Sequence, residues 1–198
     1  MTDSKTSARA LAADAKRQRL MAAAAEVVHR QGVERTTIAD IAHAADVPTG
    51  NVYYYFKTKD ELVAAALAEH SRQLKLLTDG LDLLPDPRER LKGLIAAWVS
   101  RRDLAARYGC PTGTLAVELD KRDEGGLDLE AGRVIRLLLE WVERQFRELG
   151  RPEPDGLALT LVGAYQGMSL LANALRDPRI MDREGARLLA WLDSLETA

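Results

Sequence analysis

The feature that most constrains this chain is the period of its apolar residues. They recur at i, i+3, i+4 and i+7 along the chain, and no period-2 run of β-branched residues stands out. Such a sequence builds helices and buries one stripe of each. With 198 residues, 46% of them hydrophobic, there is material for one globular domain or two small ones. The expected architecture is all-α, with about nine helices: a small basic unit of three short helices, then a larger bundle.

Local stop and start signals divide the pattern. Residues 1–15 are polar and alanine-rich, without a fixed apolar face, and read as a flexible arm. A helix is expected from about Lys16 to Gln31, stopped by Gly32. Thr36 and Thr37 offer an N-cap hydroxyl to a short helix carrying Ile38, Ile41, Ala42 and Ala45. Asp46 and Val47 make a turn, and Pro48 suits the first turn of the next helix, which runs to Tyr55. Thr58 can cap a helix from Lys59 toward Leu77. Further helices are expected over Arg88–Arg107, Thr114–Lys121, Leu127–Leu149, Asp155–Leu175 and Asp182–Leu195. The corresponding domains are 16–60 and 61–198.

Several classes of protein are excluded. The longest uninterrupted apolar runs fall well short of the roughly 18–20 residues of a membrane span. Lys5 and Arg9 are followed by no apolar h-region, so no secretory leader is expected. A single cysteine, Cys110, cannot form an internal disulfide, and a reducing cytoplasm is the expected setting. His29, His43 and His70 with that one cysteine offer no metal-ligand spacing, and no phosphate loop or dinucleotide fingerprint occurs. Neither a metal, a cofactor nor an enzymatic activity is expected. The formal net charge of −2 hides an asymmetry. Up to Lys59 nine Lys/Arg stand against six Asp/Glu, and beyond it 19 against 24. A basic front suits an anionic partner.

Two short helices joined by a tight turn, over Thr37–Tyr55, form a helix-turn-helix. Ala42 allows close approach, and Ile38, Ile41, Val47, Val52 and Phe56 can pin the helices together. The turn needs a residue that tolerates positive φ, which Asp46 does less well than glycine. At 100° per residue Val52 and Phe56 fall within about 40° of each other and point inward. Gly50, Asn51 and Tyr54 lie opposite, with Tyr53 and Tyr55 at the flanks. Consecutive residues of a helix cannot all face one core, so the run Tyr53–Phe56 must expose tyrosines. Amide, hydroxyl and aromatic groups without a carboxylate suit a DNA major groove. The residues assigned to DNA are Thr37, Thr49, Gly50, Asn51, Tyr53, Tyr54, Tyr55 and Lys59. Lys57 extends the phosphate contact. Thr37 could offer phosphate its hydroxyl and a helix N-terminus.

These residues resemble the tetracycline-repressor (TetR) family of bacterial regulators. Thr37, Ile41, Ala42, Ala45, Val47, Gly50, Val52, Tyr53, Tyr54, Phe56, Lys59 and Leu62 stand at matching places, and the likeness covers about residues 16–67. Asp46, Pro48 and Tyr55 depart from the pattern. The resemblance implies a homodimer on double-stranded DNA, with two reading helices in successive major grooves of a pseudo-palindromic operator. It also implies a C-terminal domain that binds a small-molecule effector and dimerises through about residues 155–195. The stretch Gly109-Cys110-Pro111-Thr112-Gly113-Thr114-Leu115 resembles a G-C-x-x-G-x-L signature of one branch, part of which senses oxidants or electrophiles through the cysteine. Large rings with polar handles make ligand walls, so Trp98, Cys110, Trp141, Tyr165 and Met168 form the candidate effector pocket. The expected function is a repressor released by its effector, with oxidation or alkylation of Cys110 as the alternative trigger. An architectural binder of any DNA sequence is the competing class.

Overall fold

The computed structural model describes residues 2–122 and 126–195. All regular structure among them is helical. The elements are α1 (Thr2–Gln31), α2 (Ile38–Ala44), α3 (Thr49–Tyr55), α4 (Lys59–Leu81), α5 (Pro87–Ser100), α6 (Arg102–Tyr108), α7 (Pro111–Asp120), α8 (Leu127–Glu148), α9 (Pro154–Leu175) and α10 (Arg179–Ser194).

The element beyond the expected nine arises inside Arg88–Arg107. No glycine or proline marks that break. Ser100 turns its hydroxyl back onto the Ala97 carbonyl at 2.8 Å, and the Arg101 N–H bonds to the Trp98 and Val99 carbonyls. A side chain that competes for helix carbonyls ends the helix there. α1 begins at Thr2, not near Lys16, so the segment read as a flexible arm is helical from residue 2. It holds no glycine or proline, and its alanines are the strongest helix formers. α9 starts at Pro154, with Glu153 at φ 52 closing the preceding turn. Asp155 therefore lies inside the first turn and is not its cap.

The chain folds as two compact units, Met1–His70 with Leu115–Ala131, and Ser71–Thr114 with Gly132–Ala198. The first is larger than residues 16–60, for a packing reason. Val63 and Leu67 of α4 share a buried cluster with Val28, Val33, Leu115, Leu119 and Ala131. A second cluster in this unit joins Leu20 and Ala24 of α1 to Ile41, Ala42, Val47, Val52, Phe56 and Leu62. Gly32 ends α1 at φ +82. Its Cβ, if present, would stand 2.7 Å from Glu118 Oε1. That oxygen is held there because it accepts the N–H of Val33 at 2.7 Å and of Glu34 at 3.4 Å.

The second unit has one core, built from α5, α6, α8, α9 and α10 around Leu94, Ile95, Val142, Phe146, Leu161 and Met181. Gly185 lets α10 settle onto α5, since a methyl there would run into Val99. By length and composition alone α9 could cross a membrane. Here one side of it is buried, at Ala158, Leu161, Val162, Met168 and Ala172, while Leu159, Gly163, Leu170, Leu171 and Leu175 stay exposed.

Candidate nucleic-acid interface

α2 is seven residues long and cannot stand alone in water. Its start is fixed by a reciprocal cap. Thr37 Oγ1 accepts the Asp40 N–H at 3.1 Å, and Asp40 Oδ2 accepts the Thr37 N–H at 2.8 Å. The Thr37 hydroxyl donates to the same carboxylate oxygen at 2.7 Å. These bonds from the Thr37 side chain and backbone hold Asp40 below the usual 3.8 of an aspartate. Thr37, expected to offer its hydroxyl and a helix N-terminus to phosphate, is thus engaged by Asp40 in this structure. Its donors are committed to an adjacent carboxylate, which also repels an anion.

The turn forms as its residues require. Asp46 adopts φ 52, its N–H bonds to the His43 carbonyl at 3.1 Å, and the Val47 N–H reaches the Ala42 carbonyl at 2.9 Å. Val47, Val52 and Phe56 then close over Ile41 and Ala42. Phe56 reaches this core from just outside α3. It is the extended C-cap (φ −136, ψ 122), not a residue on the helix wheel, yet it is buried. Thr58 caps α4 as expected, accepting the Glu61 N–H at 3.1 Å, while Glu61 accepts the Lys57 N–H at 2.7 Å.

With Val52 fully buried, the rest of α3 divides. Thr49, Gly50 and Asn51 are exposed, Tyr53 is 48% exposed and Tyr54 76%. A Cβ added at Gly50 would meet nothing within 4 Å. Tyr55 departs from this face. It is half-buried against the first-unit core, with the Tyr54 ring edge-on at 5.0 Å. Lys59 is likewise half-buried, and its ammonium donates to the Glu34 carbonyl at 3.0 Å, tying α4 to the loop before α2. The exposed Lys57 bonds through its ammonium to the Tyr53 carbonyl at the end of α3. The structure thus groups Thr49, Gly50, Asn51, Tyr53 and Tyr54 on one free face, and uses Thr37, Tyr55 and Lys59 largely to hold that face in place.

Of the five residues expected as an effector pocket, Trp98, Cys110, Trp141 and Met168 are buried and Tyr165 is partly buried. Trp98 and Tyr165 stack at 4.2 Å with 12° between their planes. Cys110 is buried, its sulfur accepts the Gly113 N–H at 3.3 Å, and the Tyr165 phenol lies against it. Burial above all, and then Cys110, push the Tyr165 hydroxyl well above its usual 10, so it remains a neutral donor. Met168 is buried in the same core. Trp141 is buried in that core too. It lines an open cleft of about 540 Å³ with Leu74, Lys75, Asp82, Leu137 and Arg144, and its indole N–H donates to Asp82 at 3.0 Å. Ser169, one turn beyond Tyr165, is fully buried, and its hydroxyl has no hydrogen-bond partner among the described residues. The sequence presents it only as a small residue in an apolar helix. Among those residues no group of His, Cys, Asp or Glu could hold a metal ion.

A buried helix-turn-helix core with a carboxylate-free second helix turned to solvent defines a helix-turn-helix DNA-binding regulator. Comparison with known proteins makes the class narrower. Residues 20–66 match the family model of bacterial regulatory proteins, tetR family. An HTH-type transcriptional repressor, DhaR of Mycobacterium sp. (strain GP1), is 26% identical over 84% of this chain and 87% of its own. An HTH-type transcriptional regulator of Lactococcus lactis subsp. lactis is 30% identical over 54% of this chain, which spans 57% of that relative. A solved TetR transcriptional regulator from Chloroflexus aurantiacus superposes with a TM-score of 0.76 over 90% of this chain and 94% of its own, at 24% identity, a likeness of fold. The family-model match spans α2 and α3 with the adjoining parts of α1 and α4, so that likeness covers the helix-turn-helix.

The left-handed turn gives a direct test. Asp46→Val is expected to lower stability by about 1–2 kcal/mol, because a β-branched residue strains at positive φ. Asp46→Gly should not. Urea unfolding of the three proteins measures the difference.

Proposed function

We propose that this chain is a homodimeric, sequence-specific repressor that leaves a pseudo-palindromic operator when a small-molecule effector binds. The observation that carries the reading is the free face of α3, with Thr49, Asn51, Tyr53 and Tyr54 offering donors and rings and no carboxylate. Gly50 supports it. A glycine in a helix costs about 1 kcal/mol relative to alanine. No neighbour among the described residues requires one there. A nucleic-acid backbone or base edge approaching closely does. Lys57 adds a cation at the end of the same helix. The protein then works in the cytoplasm, where its DNA is.

Dimerisation is assigned to the exposed side of α9, where Leu159, Gly163, Leu170, Leu171 and Leu175 present an apolar surface with small residues for close approach. The effector site is assigned to the surroundings of Tyr165. A buried hydroxyl without a partner, as at Ser169, costs about 1–3 kcal/mol. A polar ligand reaching it would recover that energy in the liganded state alone. Such differential affinity is what a switch between two conformers needs. The same place holds Cys110 of the Gly109-to-Leu115 signature. The alternative reading, oxidation or alkylation of Cys110, draws on that signature. The burial of that sulfur works against it.

Sequencing the genomic DNA that the purified protein retains at moderate salt tests the reading. A few sharp peaks with two-fold symmetry are expected, and uniform retention would sink it in favour of an architectural binder. On the recovered operator, Tyr54→Ala should weaken binding about 10–100-fold, corresponding to a base contact of about 1–3 kcal/mol. Leu170→Arg should convert a dimer into a monomer in sedimentation and abolish tight operator binding. Release by effector should persist in Cys110→Ser; loss of release there would instead establish the cysteine trigger.

A further inference from the structure

One face of α4 in the second unit is not made for packing. Ser71, Leu74, Lys75, Thr78 and Asp82 recur at i, i+3, i+4, i+7 and i+11, the spacing of a single helical stripe. Across from them Leu137, Trp141 and Arg144 stand at i, i+4 and i+7 of α8. Two helices that needed only to close on each other would carry apolar side chains along both stripes. Here Ser71 and Thr78 are short and polar, and Thr78 returns its hydroxyl to the Lys75 carbonyl at 3.1 Å. The missing side-chain volume leaves the open cleft of about 540 Å³. That is the size of a small-molecule site. Its lining includes none of Trp98, Cys110, Tyr165 and Ser169.

One wall of the cleft is fixed in place. Trp141 is buried, and its indole N–H donates to Asp82 Oδ1 at 3.0 Å. Arg144 donates to Oδ2 of the same carboxylate at 2.8 Å. A ring held in this way gives up little further freedom when a molecule lies against it. Leu74 and the half-exposed Leu137 continue the apolar surface. A tie between two helices accounts for the bonds of Asp82. It does not account for the exposed leucine or for the space beside it.

The charges around that space decide what it takes. Asp82 is engaged twice, and Asp79 accepts the Lys75 ammonium at 2.9 Å through both oxygens. The rim sets three cations, Arg72, Lys75 and Arg144, against these two acids. Arg144 is half-exposed and commits one terminal nitrogen to Asp82. A guanidinium carries further N–H donors in a planar fork that matches a carboxylate.

We propose that this cleft binds an aromatic carboxylate, with the ring against Leu74, Leu137 and Trp141 and the carboxylate on Arg144. The site differs in its residues from the effector site assigned around Tyr165, and the inference does not rest on that assignment.

Calorimetric titration of the full chain with three naphthalene probes of one shape tests it. The probes are 2-naphthoate, the neutral 2-naphthamide and the cationic 2-naphthylmethylammonium. The naphthoate is expected to bind once per protomer and about 10–100-fold more tightly than the amide, the range of one charge-assisted hydrogen-bonded contact. Arg144→Gln should remove that preference and leave the affinity for the amide as it was. Leu137→Gln should weaken both probes, by about tenfold. Both side chains are about half exposed, so neither change opens the core, and thermal unfolding checks that each variant folds. Ser169→Ala should leave naphthoate binding unaltered. Equal affinity for naphthoate and amide, tighter binding of the ammonium probe, a preference that survives Arg144→Gln, or no saturable binding of naphthoate overturns the inference. Binding lost in Ser169→Ala but kept in Leu137→Gln would put the probe around Tyr165, which overturns this site and leaves the effector assignment standing.

Discussion

The packing of Val52, Val47 and Phe56 onto Ile41 and Ala42 is the constraint on which the rest depends. α2 and α3 have seven residues each, too few to be stable alone, so their form comes from this small core and not from propensity. Burying Val52 contributes about 1.5–3 kcal/mol and also fixes the rotation of α3. Once that side chain faces inward, the helical period sends Tyr53 and Tyr54 outward, whatever their own preference for burial. The exposed face of α3 is thus the geometric complement of a hydrophobic one.

What could be read from the residues follows from how local each signal is. Gly32, Thr37, Asp46 and Thr58 act within four residues of themselves, and each does in the structure what its chemistry requires. The reading failed where the determinant was absent or distant. Nothing in residues 2–15 forbids a helix, and whether the Ser100 hydroxyl turns back onto the Ala97 carbonyl is a choice its residue type leaves open. The first unit reaches beyond residue 60 because Leu115 and Leu119 pack with Val63 and Leu67, a pairing no window along the chain contains.

The candidate site shows the same limit. The exposed face of α3 was legible because a helix wheel is a local construction. The partial burial of Tyr55 was not legible because a wheel cannot register that a flanking ring folds back on the core, nor was the bond of Lys59 to Glu34, which only the fold brings near. Trp98 and Tyr165 meet as a stacked pair, while Trp141 turns to Asp82. Three aromatic rings of one core thus take different partners, a difference that residue type does not announce.

Gly32 and Glu118 carry one more consequence. The glycine is held free of a side chain twice over, by its left-handed φ and by the carboxylate 2.7 Å from where a Cβ would stand. That carboxylate is in turn the acceptor for the backbone immediately after the glycine. Neither position can drift on its own in evolution. A bulkier residue at 32 demands the retreat of the acid at 118, and a shortened acid strands the Val33 amide. Distant in sequence, the two should vary among homologues as a single character.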